Sequence, residues 1–120
     1  MGTLKRLLII DDDAAILDGL TTIFTAKGYE VTTRPSPMEI EHLLAQVQPD
    51  LLLMDIIMPP FNGCEVCKKL KKEGCTIPIV LFSASSYDHR LLKECNADEF
   101  IPKPFSVEKI LERIEQLINR

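Results

Sequence analysis

The chain has no long hydrophobic run. The longest near its start is LLII at residues 7–10, far too short for a signal-peptide core, and nothing further on approaches the roughly 20 apolar residues of a membrane span. It also has no excess of basic residues. A net charge of -4 and a pI near 5.2 leave no electrostatic footprint for nucleic acid or for an anionic membrane. Internal repeats, low-complexity segments and linkers are missing too. Cysteine is present four times, but Cys64 and Cys67 form a C-x-x-C with no second such pair, and neither His42 nor His89 stands at a ligand spacing from it. That removes the usual frame of a zinc site. The segment GCEVCKKLKK instead reads as an amphipathic helix with Cys67 and Leu70 on its inner face, a free cysteine being a small hydrophobe.

What is there fits one domain spanning residues 1–120, with 46% hydrophobic and 27% charged residues, enough to bury a single core. The expectation is a soluble, cytoplasmic protein. Apolar runs alternate with helical periodicity along the whole length. Residues 4–10 read as a buried strand, and residues 14–27 as a helix with Leu17, Leu20, Ile23 and Phe24 on one face, stopped at Gly28. Residues 29–33 alternate polar and apolar as an edge strand does. Ser36, Pro37 and Glu39 suggest a capping box opening a second helix, which Pro49 ends. LLLM (51–54) and IPIVLF (77–82) read as central strands, with a third helix between them from Gly63 to Glu73. A weaker fourth helix covers about 86–95, EFI (99–101) is the last strand, and Ser106 caps a strong fifth helix.

Five strands alternating with five helices imply a doubly wound α/β sandwich with right-handed crossovers, and this length favours the flavodoxin-like (βα)5 arrangement with parallel strand order 2-1-3-4-5. In such sheets ligands gather at the carboxyl ends of the strands. There the chain offers Asp11, Asp12 and Asp13 after the first strand, Asp55 after the third, Ser83 after the fourth and Lys103 after the fifth. The strand order brings the first and third ends together. Two carboxylates about 5 Å apart repel by roughly 3 kcal/mol at an effective dielectric near 20. A divalent cation relieves this, and an all-oxygen site with few protein ligands suits Mg²⁺. One of the three consecutive acids is expected to cap the first helix as well.

Asp55 follows four apolar residues at the centre of the sheet, where an unpaired carboxylate is costly. A functional role explains the placement directly: carboxylates are nucleophiles for phosphoryl groups, and the hydroxyl of Ser83 and ammonium of Lys103 would hold the phosphoryl oxygens.

The segments LLIIDDD, PDLLLMDIIMPPFNG, VLFSA and ADEFIPKPF closely resemble, in order and spacing, the signature segments of response-regulator receiver domains of two-component systems. The resemblance implies Asp55 as phosphoacceptor and Asp11 and Asp12 as the acidic pair for Mg²⁺. It further implies the main-chain carbonyl of Ile57 as a metal ligand, Ser83 as switch hydroxyl, Lys103 as phosphoryl contact before a cis Lys103–Pro104 bond, and Phe100 as switch aromatic. The donor would be a sensor histidine kinase or histidine phosphotransfer protein. The output would be a downstream target or output domain, met through the face of the fourth helix, fifth strand and fifth helix, or a phosphorylation-dependent dimer. His89, Arg90, Lys93 and Glu94 decorate that face. Such a chain is a phosphoacceptor that catalyses only its own phosphorylation and dephosphorylation.

Departures from the family pattern are Ser83 where Thr is frequent, Asn62 where Asp often precedes the loop glycine, Asn96 where Gly is frequent, and apolar Ile57 where polar groups help position a hydrolytic water. The last predicts slow dephosphorylation. The alternatives are a phosphorylation-independent binding module of the same fold and a Mg²⁺-dependent aspartyl-phosphate phosphatase; the latter needs a second acid where Ile57 stands. A flavin-binding module would need a phosphate cradle after the first strand, where the three acids repel phosphate. Whether the chain is a stand-alone regulator, a phosphorelay intermediate or a piece of a larger protein is open.

Overall fold

The computed structural model describes residues 4–83 and 93–119. In chain order the strands are β1 (Arg6–Ile10), β2 (Glu30–Arg34), β3 (Leu51–Asp55), β4 (Ile57–Met58), β5 (Phe61–Asn62), β6 (Ile79–Ser83) and β7 (Glu99–Pro102). The helices are α1 (Ala14–Ala26), α2 (Ile40–Val47), α3 (Gly63–Lys72) and a C-terminal helix (Val107–Ile118). Five parallel strands form the main sheet in the order β2-β1-β3-β6-β7. Counting only these five, the order is 2-1-3-4-5, the flavodoxin-like arrangement expected. β4 and β5 form a separate two-stranded antiparallel hairpin around the cis Pro59–Pro60 bond, where the sequence suggested only a turn.

The uniformly apolar strands are explained by the two layers that cover them. Leu8, Ile10, Leu52, Met54, Ile79 and Leu81 face Ile40 and Leu43 of α2 and Cys67 and Leu70 of α3. The alternate residues, among them Leu7, Ile9, Leu53, Val80 and Phe82, face Leu17, Leu20 and Phe24 of α1 and Ile110 and Ile114 of the C-terminal helix. Strands apolar on both faces cannot lie anywhere but the middle of such a sandwich.

Local signals set most element ends. Asp13 caps α1, its carboxylate accepting from the Ala15 N–H, so one of the three acids does serve the helix. Asn62 caps α3, accepting from the N–H groups of Cys64 and Glu65, and Ser106 caps the C-terminal helix through the Lys109 N–H. Asn96 adopts the left-handed conformation (φ 60°) that asparagine tolerates. The start of α2 differs from expectation. Among the described residues Ser36 Oγ accepts from the Met38 N–H, Glu39 takes a left-handed φ of 56° with no side-chain cap, and the helix begins at Ile40. A left-handed residue three positions after Ser36 breaks the reciprocal bonding a capping box requires. The fourth predicted helix falls mostly outside the described residues, which show helix at 93–95.

Candidate functional site

Strand register assembles the site. Ile10 pairs with Met54, so Asp11 and Asp55, the residues that follow, leave the sheet side by side. Asp55 in turn pairs with Phe82, and Phe82 with Ile101, two residues before Lys103. Carboxylate oxygens of Asp11, Asp12 and Asp55 all lie within 4.8 Å of one another. Asp11 is fully buried and Asp55 nearly so (6% exposed), whereas Asp12 reaches solvent.

Each buried carboxylate is held by a main-chain donor. Asp11 Oδ1 accepts from the Asp13 N–H at 2.9 Å and Asp55 Oδ1 from the Ile56 N–H at 2.9 Å. The Lys103 ammonium spans both acids, donating to Asp11 Oδ2 at 3.0 Å and standing 3.6 Å from Asp55 Oδ2. It also lies 4.6 Å from the centre of the Phe82 ring, which Phe105 braces edge-on. The resemblance implied a cis Lys103–Pro104 bond, and the structure has it.

Charge at this cluster is unbalanced. Burial, then the neighbouring Asp11 carboxylate, push the Asp55 pKa upward, against the pull of Lys103 and the Ile56 N–H. Two buried acids and one at the surface face a single ammonium among the described residues, a donor set of hard oxygens that fits a divalent cation such as Mg²⁺.

The site is built tightly on α3. The Gly63 N–H donates to the Ile56 carbonyl at 2.7 Å, and a Cβ on Gly63 would run into the Asp55 carbonyl oxygen. Side-chain size, more than backbone freedom, therefore demands glycine here.

Among the other expected site residues, Ile57 is 48% exposed beside the cluster. Ser83 ends β6 opposite Pro102, its side chain lying outside the described ones. Phe100 pairs with Leu81 and packs, partly buried, on the α2–α3 face of the sheet. Lys93 and Glu94 are exposed, and His89 and Arg90 fall outside the described residues.

Sequence reasoning missed three features. The Phe82 ring beneath Lys103 was legible in principle as the residue ending an apolar run beside the hydroxyl. Asp98 accepts from the Ile79 N–H and from Lys71 of α3, at 2.8 and 2.7 Å, tying β7 to β6 and α3. Cys64 is joined to Cys95 in a disulfide, a pairing that the sequence reading did not include. Cys67 is the buried inner-face residue expected, but no sequence spacing announces a bridge across 31 residues.

The chain matches the family described as response regulator receiver domain over residues 7–115. The response regulator MprA of Mycobacterium leprae is 35% identical over 117 residues, which are 96% of this chain and 51% of the relative. The chain thus spans about half the length of the curated relatives it matches. A CheY-like receiver domain protein from Methanospirillum hungatei superposes with a TM-score of 0.88 at 29% identity, covering 98% of this chain and 95% of the other. The response regulator TrrA from Thermotoga maritima, solved in complex with Mg²⁺ and BeF, gives 0.85 at 30% identity, covering 95% and 99%.

Proposed function

The chain belongs to the response regulator receiver domain family, and on that premise we propose that residues 1–120 form one receiver domain whose Asp55 accepts a phosphoryl group. The donor is a sensor histidine kinase or a histidine phosphotransfer protein. A carboxylate oxygen of Asp55 forms the new O–P bond as the donor's N–P bond breaks and the imidazole leaves with its electron pair. The observation that carries the reading is Asp55 itself: a buried carboxylate at the end of a central strand, 3.6 Å from a lysine that a second buried carboxylate also holds.

The residues divide the work. The Ile56 N–H fixes the Asp55 carboxylate, so that little orientation is lost on attack. Lys103 is positioned by Asp11 and by the Phe82 ring, and meets an equatorial phosphoryl oxygen as charge develops. The Ser83 hydroxyl takes another phosphoryl oxygen. Asp11, Asp12, Asp55 and the Ile57 carbonyl would hold Mg²⁺, which supplies the positive charge that keeps Asp55 ionised and neutralises the incoming group. The TrrA complex with Mg²⁺ and BeF supports this assignment by likeness. Beside Lys103 lies an apolar cavity of about 380 Å³, lined by Ile16, Lys103, Pro104 and Phe105.

Phosphorylation then biases a two-state equilibrium through Ser83 and Phe100. Output follows through the face of the fourth helix, β7 and the C-terminal helix, toward a target, an output domain or a second copy. Intact-mass measurement after incubation with acetyl phosphate tests the core of the reading. One phosphoryl adduct that requires Mg²⁺ and is lost in Asp55→Asn is expected. A wild type that binds Mg²⁺ yet takes no adduct would make the domain a phosphorylation-independent binding module, and turnover of phosphate esters would make it a phosphatase.

A further inference from the structure

The Cys64–Cys95 bridge lies where it can act on the site. Cys64 is in the first turn of α3, the turn whose Gly63 is pressed on the Asp55–Ile56 backbone. Cys95 closes the helical turn at 93–95, and the chain then runs through Asp98 into β7 and on to Lys103. Among the described residues, two side-chain links therefore join α3 to the segment leading to Lys103. One is the bridge, and the other is the half-buried Lys71–Asp98 ion pair at 2.7 Å. Only the first responds to redox conditions. In a reducing compartment such a bond is held open or closed by the thiol pool, unlike the permanent staples of secreted domains.

We infer that Cys64 and Cys95 form a reversible redox latch, which, when closed, holds the Lys103-bearing segment against α3 and slows phosphoryl acceptance at Asp55. The inference rests on the phosphoacceptor reading above. Closing the latch removes two electrons and two protons from the two thiols, and these reduce one small-molecule disulfide to two thiols. Opening is the reverse, with a small thiolate attacking one sulfur of the bridge and a second resolving the mixed disulfide. Cys64, at 8% exposure against 1% for Cys95, is the less buried end.

Cys67 is the nearer thiol to Cys64 in sequence, but burial pushes it up to about 12, so it stays protonated and does not compete as a nucleophile. The direction of the effect follows from Lys103. In this structure its ammonium is 3.0 Å from Asp11 and 3.6 Å from Asp55, and reaching a phosphoryl oxygen carried on Asp55 takes a small shift from that starting position. Opening the bridge leaves the segment held by the Lys71–Asp98 pair and by its pairing with β6, with more freedom for that shift.

The test uses the intact chain equilibrated in glutathione buffers of opposite poise, with alkylation and peptide mapping. The oxidised buffer should give a linked Cys64–Cys95 peptide, with Cys67 and Cys75 still alkylated, and the reduced buffer four alkylated thiols. Opening the latch should speed amide exchange at Glu99–Ile101 at least tenfold, and formation of the acetyl phosphate adduct at least threefold. Cys64→Ser and Cys95→Ser, made separately, should match the reduced wild type in both buffers; if one fails to fold, the other serves. A missing 64–95 peptide in the oxidised buffer overturns the inference, as do equal adduct rates in the two buffers. Absence of any adduct in either buffer defeats the phosphoacceptor reading instead, and amide exchange then decides the latch: equal exchange overturns it.

Discussion

Removing the charge of Asp55 should stabilise the metal-free protein, although the side chain sits beside a lysine. At an effective dielectric near 20, the ammonium of Lys103 at 3.6 Å attracts the carboxylate by about 4.6 kcal/mol. Asp11, within 4.8 Å, repels it by about 3.5 kcal/mol. These nearly cancel, and the loss of hydration at a residue only 6% exposed decides the sign. The upward direction of the Asp55 pKa expresses the same balance. We expect Asp55→Asn to gain on the order of 1 kcal/mol at pH 7 in EDTA, within the range seen when buried charge is replaced by neutral groups.

That gain depends on pH in a defined way. Because the folded-state pKa lies above the unfolded value of about 3.9, the penalty on the wild type begins to build above the unfolded pKa and is complete once folded Asp55 is ionised. The advantage of the variant is full above the folded pKa and vanishes as pH falls through it toward the unfolded value. Mg²⁺ should reverse the order: at ten times its dissociation constant it adds about 1.4 kcal/mol to the wild type and less to the variant. Urea unfolding of both proteins between pH 4 and 8, with EDTA and with Mg²⁺, measures all of this. An Asp55→Asn protein less stable than wild type in EDTA at pH 7 would refute the reasoning, by showing that the attraction of Lys103 outweighs burial and Asp11 together.

Four further outcomes are expected. Lys103→Ala should slow adduct formation from acetyl phosphate by about 10²-fold, as loss of a preorganised charge contact does, with single-turnover mass measurements as the check. Gly63→Ala should cost about 1–3 kcal/mol in urea unfolding, because its methyl meets the Asp55 carbonyl rather than a flexible side chain. Ile57→Asn should speed decay of the phosphoprotein several-fold while changing stability by less than about 0.5 kcal/mol, since Ile57 is 48% exposed; an unchanged decay rate counts against a role for this position in hydrolysis. Reducing the Cys64–Cys95 bond frees a loop across 31 residues, and chain entropy alone puts the loss near 3.7 kcal/mol, readable as a lower melting temperature in reductant.

The sequence by itself determined the alternation of elements, the doubly wound sheet and the acids, hydroxyl and lysine at its carboxyl edge. These are read from short-range pattern: LLII and LLLM are apolar on both faces because helices cover both, and Asp13, Asn62 and Ser106 cap helices through bonds that span two or three residues. Only the tertiary structure decided that Ser36 and Glu39 do not close a capping box, since Glu39 is left-handed. The same holds for the partners of Lys103, which are Asp11, Asp55 and the Phe82 ring, and for Gly63, whose bare α-carbon is required by the Asp55 carbonyl lying against it. The Lys71–Asp98 pair and the Cys64–Cys95 bridge join residues 27 and 31 positions apart. Such contacts depend on where α3 and β7 come to rest on the sheet, a position set by the packing of the whole core and carried by no local pattern.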